Sequence, residues 1–145
     1  MSEHPIELST RIIDTGATDA PNRVTNELSE LTDGVALVES FSHSIAVDSG
    51  DGLAVFDTSG VFTGQAVTEA LRAWSTDPVD TIVYTHGHAD HVGGSGALLA
   101  DGRARGHRTR GVAPGTRLSV AAVVPALDHV APLAVLREAP GLLPG

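Results

Sequence analysis

Four side chains that can bind a divalent metal ion lie within six consecutive residues, at His86, His88, Asp90 and His91. They follow the apolar run 81–84, which is typical of a buried strand, and precede the glycine pair 93–94. Three imidazoles and a carboxylate cannot be buried cheaply without partners, because polar groups removed from water cost free energy unless they are bonded. A divalent cation would satisfy all four, so the sequence predicts a metal-binding loop at the end of a strand.

The spacing of these side chains allows one or two ions. In an extended loop His86 and His88 would present their rings to the same side, whereas Asp90 and His91 in a following turn could face a neighbouring ion. The chain contains no cysteine, so any metal site must use histidine and carboxylate ligands. The alternative is a solvated polar loop whose histidines cluster by accident. The other four histidines are predicted to be structural or surface residues: His4, His43, His107 and His129.

The segments before this loop predict an α/β fold. Apolar and β-branched runs at residues 35–38, 44–47 and 53–56 predict strands, and the residues between the second and third favour a hairpin. A helix is predicted over residues 64–74, where apolar side chains recur at the spacing of one buried face. Those side chains are Val67, Ala70, Leu71 and Trp74. The order strand, helix, strand favours a βαβ crossover, and a weaker helix is predicted near residues 97–100.

The composition divides the chain into three segments. Residues 1–30 are predicted to form an extended lead-in, and residues 31–110 the folded domain. Residues 111–145 form an atypical tail, since 28 of these 35 residues are Gly, Ala, Val, Leu or Pro. We expect this change near Gly111 to mark a shifted reading frame or another disruption of the chain.

The charge and hydropathy of the chain argue against several classes of binding partner. The formal net charge of −9 argues against a nucleic-acid or anionic membrane partner. The N-terminus lacks the basic region and apolar run of a signal peptide, and no segment is apolar enough to span a membrane, so the expected location is cytoplasmic. The expected partner is a small-molecule substrate.

Residues 85–94, with the sequence THGHADHVGG, resemble the signature of the metallo-β-lactamase superfamily. The resemblance covers roughly residues 31–100 and implies the N-terminal half of a four-layer αβ/βα sandwich with metals at its edge. The sequence of the motif and that of residues 49–53 look most like the corresponding sequences of alkylsulfatase-like metallohydrolases. The reaction that most members imply is hydrolysis by a metal-activated water, which we expect here to act on an ester, a thioester or a sulfate ester.

The resemblance also implies roles for individual residues. His86 and His88 look like ligands of a first metal ion, and Asp90 and His91 like ligands of a second, with Asp90 also acting in catalysis by positioning the attacking water. Asp57 is similar to a buried aspartate that supports the site from behind the ligands. The implied cofactor is zinc, two ions in the intact family, with manganese or iron as alternatives.

The chain departs from the family after His91. Family members supply a further histidine and a bridging carboxylate from a second half, and nothing downstream here resembles those motifs. An incomplete sandwich would expose an apolar sheet face, so oligomerisation or aggregation is expected. Three functions therefore stay open. They are a metallo-β-lactamase-type hydrolase, a truncated and non-catalytic metal-binding fragment, and a small α/β interaction module with a histidine patch.

Overall fold

The computed structural model describes residues 2–17 and 22–112. Within them lie six strands in a single sheet and four helices. In chain order these are α1 (Pro5–Thr15), β1 (Leu28–Thr32), β2 (Val35–Val38), β3 (Ser44–Asp48), β4 (Leu53–Phe56), α2 (Gly64–Trp74), β5 (Val79–Val83), α3 (Ala89–Val92), α4 (Ser95–Ala104) and β6 (Arg110–Val112). The predicted α/β fold class is confirmed.

Every strand of the sheet pairs with its neighbour in sequence, in the order β1-β2-β3-β4-β5-β6. The first four strands form an antiparallel meander, whereas β4, β5 and β6 are parallel. Parallel neighbours need a crossover, which α2 supplies between β4 and β5, and α3 with α4 between β5 and β6. The predicted β3–β4 hairpin and the β4–α2–β5 crossover are both confirmed. The carboxyl ends of β4 and β5 consequently lie side by side.

The core lies between one face of this sheet and the helices α2 and α4. Val67 and Leu71 of α2 are fully buried there, as is Leu98 of α4. Ala70 and Trp74 pack against the same cluster while partly buried, so the helical face predicted from spacing is the face that the sheet covers. Removal of these apolar surfaces from water is what fixes α2 across the parallel strands.

The N-terminal segment differs from its prediction, because residues 5–15 form a helix where an extended lead-in was expected. Pro5 occupies the first turn, His4 Nδ1 accepts a hydrogen bond from the N–H of Ile6, and Leu8 is buried. Gly16 ends the helix with φ +64°, and its N–H donates to the carbonyl of Ile12. Proline at the start and glycine after the end are ordinary helix boundaries, so the sequence did contain the signal.

Other helices and strands also differ from the prediction. β1 and β6 were not predicted, α4 is longer than the predicted residues 97–100, and β5 begins two residues before the predicted run. The tail predicted from Gly111 contributes its first two residues to β6. The rest of that tail lies outside the described residues. Among the helices of the described part, none has the length and hydrophobicity that crossing a membrane requires.

Candidate functional site

The histidine loop, residues 85–94, begins after the carboxyl end of β5 and includes the short helix α3. Its neighbour is the loop after β4, which starts at Asp57. The two loops meet because β4 and β5 are adjacent parallel strands, whose ends project from the same edge of the sheet. The sheet topology therefore places Asp57 beside the predicted ligands, although 28 residues separate it from Thr85.

The ring of His86 contacts the rings of two other predicted ligands, His88 and His91. His86 Nε2 lies 3.0 Å from His88 Nδ1, and the ring centroids of His86 and His91 are 3.9 Å apart. The fourth, Asp90, has Oδ2 3.4 Å from His91 Nε2. The structure thus gathers His86, His88, Asp90 and His91 into one cluster.

This cluster does not have the geometry of a complete metal site. Across residues 2–17 and 22–112, no group of three or more histidine and acidic side chains is arranged so that it could hold a metal ion. The convergence is limited to the pair of nitrogens from His86 and His88. The predicted ligand set stays a prediction.

Asp57 lies behind the cluster and is nearly buried, with 8% of its side chain exposed. Its Oδ1 accepts from the Thr85 N–H at 2.8 Å, and its Oδ2 accepts from Thr85 Oγ1 at 2.6 Å and from His91 Nδ1 at 2.7 Å. Burial acts to raise the pKa of Asp57, but the hydrogen bonds from Thr85 and His91 outweigh burial and hold the pKa below its ordinary value. Asp57 thus contacts one ring of the cluster, that of His91, and its predicted role behind metal ligands stays a prediction.

The backbone of Asp57 is also unusual. Its φ is +57°, in the left-handed region that aspartate tolerates better than most residues. Ser59, two residues later, has φ +62°. A strained backbone conformation of this kind persists where contacts with the surrounding structure hold it in place. Here the Asp57 N–H donates to the carbonyl of Val83, which ties the turn to the end of β5.

The carboxyl end of the histidine loop is packed tightly onto the loop after β4. The N–H and the hydroxyl of Thr58 both donate to the carbonyl of His91, and the Gly94 N–H donates to the carbonyl of Ser59. Gly94 has room for no side chain, because a Cβ there would lie 1.9 Å from the Thr58 carbonyl oxygen. The start of α2 is also close, because the same Cβ would lie 2.8 Å from Gly64 Cα. The glycines after the histidines thus serve backbone packing.

Ser42 is a site neighbour that the sequence analysis missed. Its Oγ lies 3.2 Å from Nδ1 and 3.4 Å from Nε2 of His91. A hydroxyl in the plane of an imidazole bonds one nitrogen only, so these near-equal distances place Oγ over the ring. Ser42 therefore does not form a serine nucleophile and base pair with His91. No sequence signal marks Ser42, which reaches the site only because the loop between β2 and β3 folds over it.

The remaining histidines stand apart from the cluster. His4 caps α1 and contacts the carbonyl of Glu30, so it is a structural residue of the helix start. His43 contacts the carbonyl of Ser40, in agreement with the predicted structural role, and His107 is exposed. His129 lies outside the described residues.

A family model described as the metallo-beta-lactamase superfamily matches residues 37–124, which is more than half of the chain. The chain belongs to this superfamily. The match begins in β2, covers Asp57 and the whole histidine loop, and continues past the change of composition at Gly111. The resemblance read from the histidine motif is thereby confirmed.

Individual relatives cover a similar share of this chain but a small share of their own length. The alkyl/aryl-sulfatase BDS1 of Saccharomyces cerevisiae is 28% identical over 93 residues, which are 60% of this chain and 14% of that protein. A metallo-β-lactamase of Cronobacter sakazakii superimposes with a TM-score of 0.50 at 19% identity, over 61% of this chain and 34% of that one. The sec-alkyl sulfatase PisA1 has a TM-score of 0.45 and 24% identity, over 57% of this chain and 14% of its own. The chain thus spans about a seventh to a third of the length of these proteins.

Proposed function

We propose that this chain is a metal-dependent hydrolase that acts on an ester, a thioester or a sulfate ester. The observation that carries the proposal is the 3.0 Å approach of His86 Nε2 and His88 Nδ1, beside a His91 ring held by Asp57, in a member of the metallo-β-lactamase superfamily. The two nitrogens lie at hydrogen-bond distance, and the same approach brings both within reach of one cation.

The donor pair fits a zinc ion. Two nitrogens bound at about 2.0–2.1 Å to one tetrahedral zinc ion lie about 3.3 Å apart. The observed 3.0 Å requires only a small adjustment of the two rings. Imidazole and carboxylate also suit manganese and iron, so the donor set selects against soft thiolate-bound metals rather than for zinc alone.

The proposed roles follow the two ends of the loop. His86 and His88 would hold a first ion, and Asp90 and His91 a second, with Asp57 orienting the His91 ring. When bound, such ions polarise the substrate carbonyl or sulfate oxygen and lower the pKa of water toward neutrality. The Asp90 side chain is 41% exposed and is the catalytic candidate, because a free carboxylate oxygen can accept a hydrogen bond from the attacking water.

The substrate class is proposed from the relatives. BDS1 is an alkyl/aryl-sulfatase and PisA1 a sec-alkyl sulfatase, which supports a sulfate ester. Esters and thioesters stay in the proposal as the other substrate classes that the histidine motif implies. A neutral or anionic small molecule is compatible with a site formed by exposed loop residues.

The test measures bound metal and turnover on the same untagged protein. We expect about one or two equivalents of zinc, manganese or iron by elemental analysis, and hydrolysis of p-nitrophenyl acetate, a model thioester or p-nitrophenyl sulfate that a chelator abolishes and zinc restores. Both are expected to be lost in the double variant His86→Ala, His88→Ala and retained in His107→Ala, which removes an exposed histidine outside the loop. Metal without turnover would identify a non-catalytic metal-binding protein. A folded protein with well under about a tenth of an equivalent would overturn the proposal.

A further inference from the structure

A groove that is separate from the histidine cluster lies between α1, β1 and the carboxyl-terminal half of α2. Its volume is about 740 Å³, within the range of about 300–1,000 Å³ that is typical of small-molecule sites. The described residues that line it include none from the histidine loop or the loop after β4. We propose that this groove binds a small organic cation, whose ammonium or guanidinium group lies at the rim and whose apolar part lies on the floor.

The floor of the groove is apolar. It is formed by Leu28 of β1 and by Ala70, Ala73 and Trp74 of α2. Leu28, Ala70 and Trp74 pack against the hydrophobic core but stay partly exposed, so an apolar ligand that covers them removes further apolar surface from water. Trp74 is the only tryptophan of the chain, and indole is the side-chain ring that attracts a cation most strongly over its face. The floor therefore suits an apolar group that carries a cationic head.

The rim of the groove is acidic. Among the described residues that line it, those with a fixed charge at neutral pH are Glu3, Glu7 and Glu27. Glu3 is paired with Arg11, at 2.8 Å between Oε2 and Nη2. Glu7 is exposed in the first turn of α1, and Glu27 accepts from the N–H and the hydroxyl of Ser2, which are neutral donors. Two carboxylates at the rim therefore have no ion-pair partner in the part of the chain that the structure describes.

The charge of the rim selects the charge of the ligand. Glu7 and Glu27 would repel an anion, whereas an ammonium or guanidinium group donates charge-assisted hydrogen bonds to a carboxylate. The hydrogen bonds that Glu27 accepts also lower its pKa, so its carboxyl is ionised at neutral pH. His4 lines the same groove, but both its ring nitrogens are already in contact with the Ile6 N–H and the Glu30 carbonyl. A cation that donates hydrogen bonds therefore fits this rim better than an anion or a neutral molecule.

The test measures how the full-length chain binds phenethylamine, a cation at neutral pH with an apolar ring. Phenethyl alcohol is the matched probe without the charge. Because Trp74 is the only tryptophan, a saturable change in tryptophan fluorescence reports binding at the groove, and calorimetry gives the Kd. We expect the alcohol to bind about tenfold more weakly than the amine, because it cannot form a charge-assisted hydrogen bond. The Kd of the amine should rise with salt and should stay the same when a chelator removes metal.

Substitutions at the rim distinguish a site from general attraction to an acidic chain. The double variant Glu7→Gln, Glu27→Gln should bind phenethylamine about threefold to tenfold more weakly, because it removes both unpaired carboxylates. The matched control, Asp33→Asn with Glu69→Gln, removes two exposed carboxylates outside the groove and should leave the Kd unchanged. An equal Kd for amine and alcohol, an unchanged Kd in the rim variant, or no saturable binding below about 10 mM would overturn the inference. None of these outcomes bears on the metal-dependent function, which elemental analysis tests separately.

Discussion

The two ends of the histidine loop are built for different purposes. The outer half, residues 86–88, contacts Thr85 and the His91 ring, and a Cβ at Gly87 would meet nothing within 4 Å. The inner half, residues 91–94, is bonded through backbone atoms to the loop after β4 and leaves no room for a side chain at Gly94. A short run of residues thus combines an exposed end that is free to bind a ligand with an end that belongs to the folded core.

The contrast explains why the motif looks uniform in sequence but not in structure. Glycine occurs in both halves, yet only the inner pair, Gly93 and Gly94, is required by close approach of backbones. Histidine also occurs in both halves, yet only His91 is bonded directly to a nearly buried carboxylate. Substitutions should therefore affect stability in the inner half and ligand binding in the outer half.

The sharpest test of this contrast is alanine at each glycine. Gly94→Ala should lower the free energy of unfolding by about 3 kcal/mol or more, because the new Cβ would overlap the Thr58 carbonyl and the start of α2. Gly87→Ala should change it by less than about 0.5 kcal/mol. Urea unfolding followed by circular dichroism measures both, and similar values for the two variants would break the contrast.

A somewhat smaller effect is expected when the support behind the loop is removed. Asp57→Ala should cost about 2–3 kcal/mol, since it leaves donors of Thr85 and His91 without their acceptor and places alanine at φ +57°. His86→Ala, in the outer half, should stay within about 0.5 kcal/mol while removing a candidate ligand. Thermal unfolding of the two variants is the measurement. A larger loss in His86→Ala than in Asp57→Ala would contradict the assignment of structural and chemical roles.

The smallest effect concerns a surface ion pair at the opposite end of β5, between Asp80 and Arg110. The hydrogen bond from Arg110 lowers the pKa of Asp80, against a smaller opposing effect of burial. A carboxyl whose pKa is lower in the folded state adds stability above its ordinary pKa and loses it as the pH falls through the lowered value. Asp80→Asn should therefore cost about 0.5 kcal/mol near pH 7 and nothing near pH 2, because exposed pairs contribute little. Unfolding curves at several pH values would show whether the loss of stability in Asp80→Asn stays smaller than the losses in Gly94→Ala and Asp57→Ala.

Much of the central fold could be predicted from local patterns. The bounds of α2, the hairpin of β3 and β4, and the crossover to β5 all follow from apolar spacing and turn residues. The two strands that were not predicted, β1 and β6, have a feature in common. β6 has three residues and β1 mixes polar with apolar positions, so their pairing partners rather than their own residues make them strands.

The sequence alone determined which donor groups are available and how close along the chain they lie, at His86, His88, Asp90 and His91. Its resemblance to the family also predicted that Asp57 supports them. Only the tertiary structure decided that Thr85 links this carboxylate to His86 and that Ser42 covers the ring of His91. The physical reason is that such contacts depend on which strands are adjacent and parallel, a property of hydrogen bonding across the whole sheet that no short segment encodes.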